Sequence, residues 1–268
     1  MSAGDFLQAM AQASLDRVQL ARSRLSENAL LKQAQATAPP PRLVRSTSGF
    51  DLIAELKLRS PAVGQLRTAA SEDPARRALA YAEAGAAAVS VLTEPSRFDG
   101  SLEHLGAASS ALRAMRVPAM RKDFLVDPYQ VVEARAAGAG GVLLILRMLS
   151  RPQLEELCSA ARACGLFALL EAFDEADIEL AHQLVESQIS QEPPAPRIAP
   201  GRSANSRIRP EMARVQWLVG VNCRDLATLQ VVPGRLEALA PLLPHQVARV
   251  AESGVSTAED AGRVAARS

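Results

Sequence analysis

Ile53-Ala54-Glu55-Leu56-Lys57-Leu58-Arg59-Ser60-Pro61 is the stretch on which the fold turns. Read as a strand over 52–57, its period of two puts Ile53, Glu55 and Lys57 on one face, so a carboxylate and an ammonium point the same way near the C-terminal end. Ser60-Pro61 closes the strand, because the residue before a proline is pushed out of helical geometry and the ring offers no backbone donor. A surface ion pair on an edge strand is the plainer alternative. The flanking Leu52, Ala54, Leu56 and Leu58 argue against it, since near-continuous apolar runs belong to strands covered on both sides. Opposite charges at the tip of such a strand are where a parallel β/α barrel keeps its chemistry.

The chain on either side repeats one grammar. Asp73-Pro74 starts a helix that Gly85 stops, Asp127-Pro128 one that Gly138 stops, and Ser150 with Gln153 one that Gly165 stops. Between and after them, 87–93, 119–122, 141–146, 167–171, 217–222 and 248–253 read as strands, and Ser256 with Glu259 opens a last helix. This alternation predicts a parallel sheet with helical crossovers. Residues 5–31 read as helix, with an apolar stripe of Leu7, Met10, Ala11, Leu15 and Val18 and with Asp16, Arg17 and Gln19 turned away. Pro39-Pro40-Pro41 is a stiff connector, so 1–48 is expected to be a helical extension and 49–268 the barrel. Ser187 to Met212, with Pro193, Pro194, Pro196, Pro200 and Pro210 among Ser, Arg and Gln, reads as a solvated insertion at the N-terminal face. The sequence ends at Ser268, after the helix that follows the seventh strand. Strand eight and the last helix of a closed barrel are therefore expected to be missing.

Composition narrows the function. A net charge of +1 over 268 residues gives no field for nucleic acid or an anionic membrane. Cys158, Cys164 and Cys223 have no metal-ligand spacing, which fits a reduced compartment. No stretch reads as a signal peptide or membrane span, so a cytoplasmic protein is expected.

At the strand ends stand Glu55 and Lys57, Thr93 and Glu94, Lys122 and Asp123, Glu171, Asn222 with Arg224, and Glu252 with Ser253-Gly254. In a barrel these tips converge on one mouth. Ile53-Ala54-Glu55-Leu56-Lys57 with Ser60-Pro61, Ser90-Val91-Leu92-Thr93-Glu94 with Phe98 and Gly100, Arg121-Lys122-Asp123-Phe124, Gly220-Val221-Asn222-Cys223-Arg224-Asp225-Leu226 and Glu252-Ser253-Gly254 resemble the signature of the indole-3-glycerol phosphate synthase family.

The resemblance implies a (β/α)8 TIM barrel that needs neither cofactor nor metal. It implies a sugar-phosphate substrate, 1-(2-carboxyphenylamino)-1-deoxyribulose 5-phosphate, which is cyclised, decarboxylated and dehydrated. Lys122 is then the acid in ring closure, Lys57 the holder of the substrate carboxylate, Glu55 an orienting group or base, Glu171 the base and Asn222 a partner for substrate hydroxyls. Phe124 and Leu144 form the slot for the aromatic ring. Ser60, Arg224, Glu252, Ser253 and Gly254 bind the rest of the substrate, with phosphate at the Ser253-Gly254 turn before a helix. The family pattern leaves open a monomer and association with other tryptophan-pathway enzymes. Ala62, Val63, Met120 and Cys223 depart from it without removing a candidate catalytic side chain. The alternatives are a sister barrel such as phosphoribosylanthranilate isomerase, or a non-catalytic barrel that binds a ligand or partner; lysines after both strand one and strand three speak against the first, and the retained buried charges against the second.

Overall fold

The computed structural model describes residues 3–47, 49–62, 64–66, 72–190, 215–255 and 257–265. Helices α1 (Ala3–Arg24) and α2 (Glu27–Ala36) come first. Seven parallel strands then form one sheet in chain order: β1 (Ile53–Leu56), β2 (Ala88–Leu92), β3 (Ala119–Lys122), β4 (Gly141–Ile145), β5 (Phe167–Ala172), β6 (Trp217–Asn222) and β7 (Ala248–Glu252). Each lies within a residue of the ends read from sequence. The connecting helices are α3 (Pro74–Glu83), α4 (Pro95–Phe98), α5 (Leu102–Leu112), α6 (Pro128–Ala136), α7 (Arg151–Ala163), α8 (Glu175–Ser190) and α9 (Arg235–Leu239), and α10 (Ala258–Ala265) follows β7.

The sheet is curled. Laid flat, seven strands would hold β1 and β7 roughly 29 Å apart. Instead Lys122 on β3 lies 3.8 Å from Glu55 of β1 and 3.2 Å from Glu252 of β7. The strands therefore wrap a common interior as the wall of an α/β barrel. Among the described residues β1 and β7 are its edges, and no eighth strand lies between them.

Alternation along each strand divides the core in two. Val89, Val91, Val142, Leu144, Leu170 and Val219 face the surrounding helices, while Met120, Leu143, Ile145, Phe167, Leu169 and Leu218 face inward. Because β2, β4, β5 and β6 are buried along their whole length, both faces contribute, at ~1.5–3 kcal/mol for each large apolar side chain taken from water. Local signals set the helix starts as expected: Asp73 accepts from the Ala75 and Arg76 amides, and Asp127 with Gln130 and Ser150 with Gln153 form capping boxes.

The N-terminal region departs from its expected form. The helical stretch read over 5–31 is divided in two, because Ser26 adopts an extended conformation and its hydroxyl accepts from the Ala29 amide to start α2. The inner stripe of α1 runs through Leu7, Met10, Ser14 and Val18, whereas Leu15 is 38% exposed. Leu7 and Met10 join the inward-facing cluster, and Leu30 and Ala34 of α2 pack on Tyr129 and Val132 of α6. The two helices thus fasten one side of the barrel at separate levels.

Two later boundaries also shift. Thr257 and Asp260 exchange hydrogen bonds at the start of α10, taking the part expected of Ser256 and Glu259; Ser256 lies outside the described residues. Residues 187–190 complete α8, with Gln188 buried, so the first part of the expected insertion is helix. The remainder, 191–212, lies outside the described residues.

Gly100, just after α4, abuts β2. A Cβ there would sit 2.4 Å from the Leu92 carbonyl oxygen and 2.8 Å from Thr93 Cα, so backbone rather than a yielding side chain blocks it. Gly100→Ala is expected to lower stability by about 1–3 kcal/mol in urea unfolding; an unchanged midpoint would mean that this loop moves aside freely.

Candidate active site

The inner face brings the ionisable strand ends together as expected. Lys122 stands at their centre, its Nζ 3.2 Å from Glu252 Oε2 and 3.8 Å from both Glu55 Oε2 and Glu171 Oε1. Four strands, β1, β3, β5 and β7, supply this group. Lys57, one residue past β1, donates to Glu55 Oε1 from the same strand face. Asn222 at the end of β6 donates from Nδ2 to Glu171 Oε1 at 2.7 Å, and its Oδ1 accepts the Arg224 amide at 2.9 Å.

Burial and charge divide the carboxyls into different states. Burial alone would raise Glu55, but Lys122 and Lys57 outweigh it and hold the group below its ordinary value, as an anion. Glu252 goes the other way: burial and the neighbouring Glu171 push it up to about 8 against the pull of Lys122. Its Oε1 is buried and meets no donor among the described residues, as befits a carboxyl that keeps its own proton near neutrality. Burial opposes the charge on Lys122 as well, yet the surrounding carboxyl groups of Glu252, Glu171 and Glu55 outweigh it and raise its pKa, so the side chain stays an ammonium.

This cluster forms one side of a cavity of about 520 Å³, a size suited to a small organic ligand. Glu55, Lys57, Ser60, Lys122, Phe124, Glu171, Asn222, Arg224, Glu252, Ser253 and Gly254 all line it. Leu144 does not. On β4 the odd-numbered residues face inward, so Leu143 and Ile145 line the cavity while Leu144, fully buried, faces the helices. Phe6 of α1 also lines the wall, its ring edge-on to Phe124 at 5.9 Å, and Phe98 lies 6.3 Å from Phe124 on the other side.

Ser253 and Gly254 both adopt positive φ, 65° and 80°, and α10 begins only at Ala258. An anion at this end is therefore met by the turn and not directly by the helix start. Arg224 is tied through NH1 to the Leu229 carbonyl, which holds its loop beside the cavity. Cys223 is buried and burial raises its thiol, so it is no ready nucleophile.

Other polar strand ends brace the site from behind. Asp123 accepts from the Phe124 amide, from Thr93, from Arg121 and, at 2.7 Å, from Arg17 of α1. Arg17 also lies 3.5 Å from Glu94, which caps α4. The expectation that Arg17 turns away fails, because the inner stripe of α1 passes through Ser14, which donates to the Phe124 carbonyl and accepts from Gln130. Gly220 was legible only as part of a motif: a Cβ there would sit 2.2 Å from Glu252 Oε1, so its bare backbone makes room for that carboxyl. A lone glycine inside an apolar strand is the available signal for such a close approach.

Comparison with known proteins agrees with this constellation. The sequence model of the family described as indole-3-glycerol phosphate synthase matches residues 7–189 and 211–268, skipping most of the Pro- and Arg-rich interval. Curated proteins named indole-3-glycerol phosphate synthase are similar over most of the chain. One from Parafrankia sp. (strain EAN1pec) is 41% identical over 242 residues, covering 89% of this chain and 77% of that protein. One from Nocardioides sp. (strain ATCC BAA-499 / JS614) is 42% identical, covering 87% and 77%, and one from Mycobacterium avium (strain 104) is 38% identical, covering 88% and 75%. With its strand-tip charges in one cavity and this likeness running from α1 to α10, the chain belongs to the indole-3-glycerol phosphate synthase family.

Proposed function

We propose that the cavity folds 1-(2-carboxyphenylamino)-1-deoxyribulose 5-phosphate so that its ring carbon bearing the carboxylate attacks the ribulose carbonyl. Carbon dioxide and water then leave, giving indole-3-glycerol phosphate. The observation that carries this reading is a single ammonium, Lys122, held among three carboxyls beside an aromatic slot.

The steps follow from that geometry. As the new carbon–carbon bond forms, the nitrogen lone pair pushes into the ring and negative charge grows on the carbonyl oxygen. Lys122 protonates that oxygen, the Glu55 anion beside it having helped to keep it cationic until then. Loss of carbon dioxide returns the bonding pair and restores the aromatic ring. Lys57 holds the departing carboxylate and then supplies a proton to the hydroxyl that leaves as water, with Glu55 orienting both lysines. Glu171, steadied by Asn222, removes the last ring proton to complete the indole. Glu252 keeps its proton and so limits the negative charge around Lys122. Phe124, Phe98, Leu143 and Ile145 hold the aromatic ring, and Ser60, Arg224 and the Ser253-Gly254 turn face the sugar phosphate.

Among the described residues no helix is long and apolar enough to cross a membrane. A small phosphorylated substrate of amino-acid biosynthesis fits a cytoplasmic setting, which we adopt as part of this proposal.

Lys122→Ala is expected to lower kcat/KM by about 100-fold or more with the barrel still folded, read as growth of indole fluorescence; near-normal turnover would remove Lys122 from the acid's role. Glu252 gives a second test. Its carboxyl is raised in the folded chain, so between the ordinary value of 4.5 and about 8 the folded state binds more protons than the unfolded one. Stability therefore falls as pH rises through that window. Glu252→Gln should remove this slope and gain on the wild type from pH 5 to pH 9, by on the order of 1 kcal/mol or more. Parallel pH profiles of urea stability would show that Glu252 ionises normally.

A further inference from the structure

Two strand ends at the mouth run on into apolar residues, β4 into the buried Leu146 and β5 into Phe173. Where β1, β2, β3 and β7 run into Lys57, Thr93, Asp123 and Ser253, β5 continues past Glu171 to Phe173, whose side chain is buried and lines the cavity. Its ring shares the inward-facing cluster with Phe124, Leu143 and Ile145, so it belongs to the wall of the aromatic slot on the side of Glu171.

Phe173 is also held in an unusual way. The Arg147 guanidinium, arriving from the turn after β4, stacks over its ring at 4.7 Å from the centroid. That guanidinium is pinned in turn: Nε donates to Asp177 Oδ2 at 2.8 Å, and NH2 lies 2.7 Å from the same oxygen and 2.5 Å from Asp174. Asp177 Oδ2 also accepts the backbone N–H of Phe173 at 2.8 Å. One buried carboxylate oxygen therefore fixes the Phe173 backbone directly and its ring through Arg147. Capping of α8 explains Asp174, whose Oδ1 accepts the Asp177 amide. It does not explain why a cation from a different loop is laid across an aromatic ring of the cavity wall.

We propose that Phe173 is a specificity-determining residue that sets the length of the aromatic slot, and that Arg147 is the positioning residue that holds its ring there. This inference rests on the reading of the slot as the site of the carboxyphenyl ring. A wall atom free to swing aside adapts to an added methyl group, whereas a ring clamped on its face and at its backbone does not. Rigidity at this position converts a loose apolar surface into a gauge for the size of the substrate ring.

The test compares kcat/KM for the unsubstituted carboxyphenylamino-deoxyribulose phosphate with that for its ring-methylated forms, in wild type, Phe173→Ala, Phe173→Leu, Arg147→Met and Arg147→Lys. The wild type is expected to reject at least one methylated form by on the order of 10-fold or more, the scale on which an apolar pocket discriminates a single methyl group. Phe173→Ala should erase most of that preference, and Phe173→Leu, which keeps an apolar wall if the alanine variant fails to fold, should erase part of it. Arg147→Met should relax the same preference while raising KM more than it lowers kcat, and Arg147→Lys, which keeps a cation beside the ring and Asp177, should recover some of it. A folded Phe173→Ala or Phe173→Leu with wild-type ratios for every form would overturn the role of Phe173. Unchanged ratios in Arg147→Met, with only a lower melting temperature, would reduce Arg147 to a helix brace. A wild type inactive on the unsubstituted compound would instead overturn the functional reading beneath both.

Discussion

The gathering of three carboxyl groups around one ammonium is the constraint to which the rest of this structure answers. Four ionisable side chains in a space this size repel, lose hydration and cost free energy unless their geometry is held. The curl of the sheet is what holds it, since Glu55 and Glu252 come from its two edges and meet only because the strands between them wrap around. The cluster also relieves its own repulsion, with Glu55 driven toward the anion and Glu252 toward the acid. Neighbouring carboxyls in different protonation states are a common arrangement where both a proton donor and a proton acceptor are needed near neutral pH.

Around this centre the protein spends much of its buried polarity on keeping β3 in place. Asp123 takes hydrogen bonds from Thr93 just past β2, from β3, from its own loop and from α1, and Ser14 of α1 holds the Phe124 carbonyl. The N-terminal helices therefore do more than shelter apolar surface. Helix α1 reaches the two residues that follow the lysine, Asp123 and Phe124, and supplies an aromatic side chain, Phe6, to the cavity wall. A polar network whose members are all satisfied favours one arrangement over its neighbours, and such definition is valuable where a proton must travel to one atom and not another.

Much of this was legible in the chain because the strand period and the helix caps carried it. The period of two placed Ile53, Glu55 and Lys57 on one face, and the caps at Asp73, Asp127 and Ser150 divided helix from strand. The errors come from signals that are local in sequence but decided by packing. Leu15 outranks Ser14 on any hydrophobic scale, yet Ser14 faces inward because it has partners on Phe124 and Gln130. Leu144 and Leu143 are chemically identical, and only the phase of β4 tells which one meets the cavity. Phe173 reads as ordinary core, since nothing in its neighbourhood announces that Arg147, twenty-six residues earlier, covers its ring.

The two ends of the strands carry different obligations. The cavity lies at their C-terminal tips, while Ser190 and Val215 flank the entry to β6, about 20 Å away along a six-residue strand. The family's sequence model passes over most of the interval between them. This end of the barrel thus offers a natural splice point, where a tether, a tag or a second folded module can be accommodated without touching a residue of the chemistry.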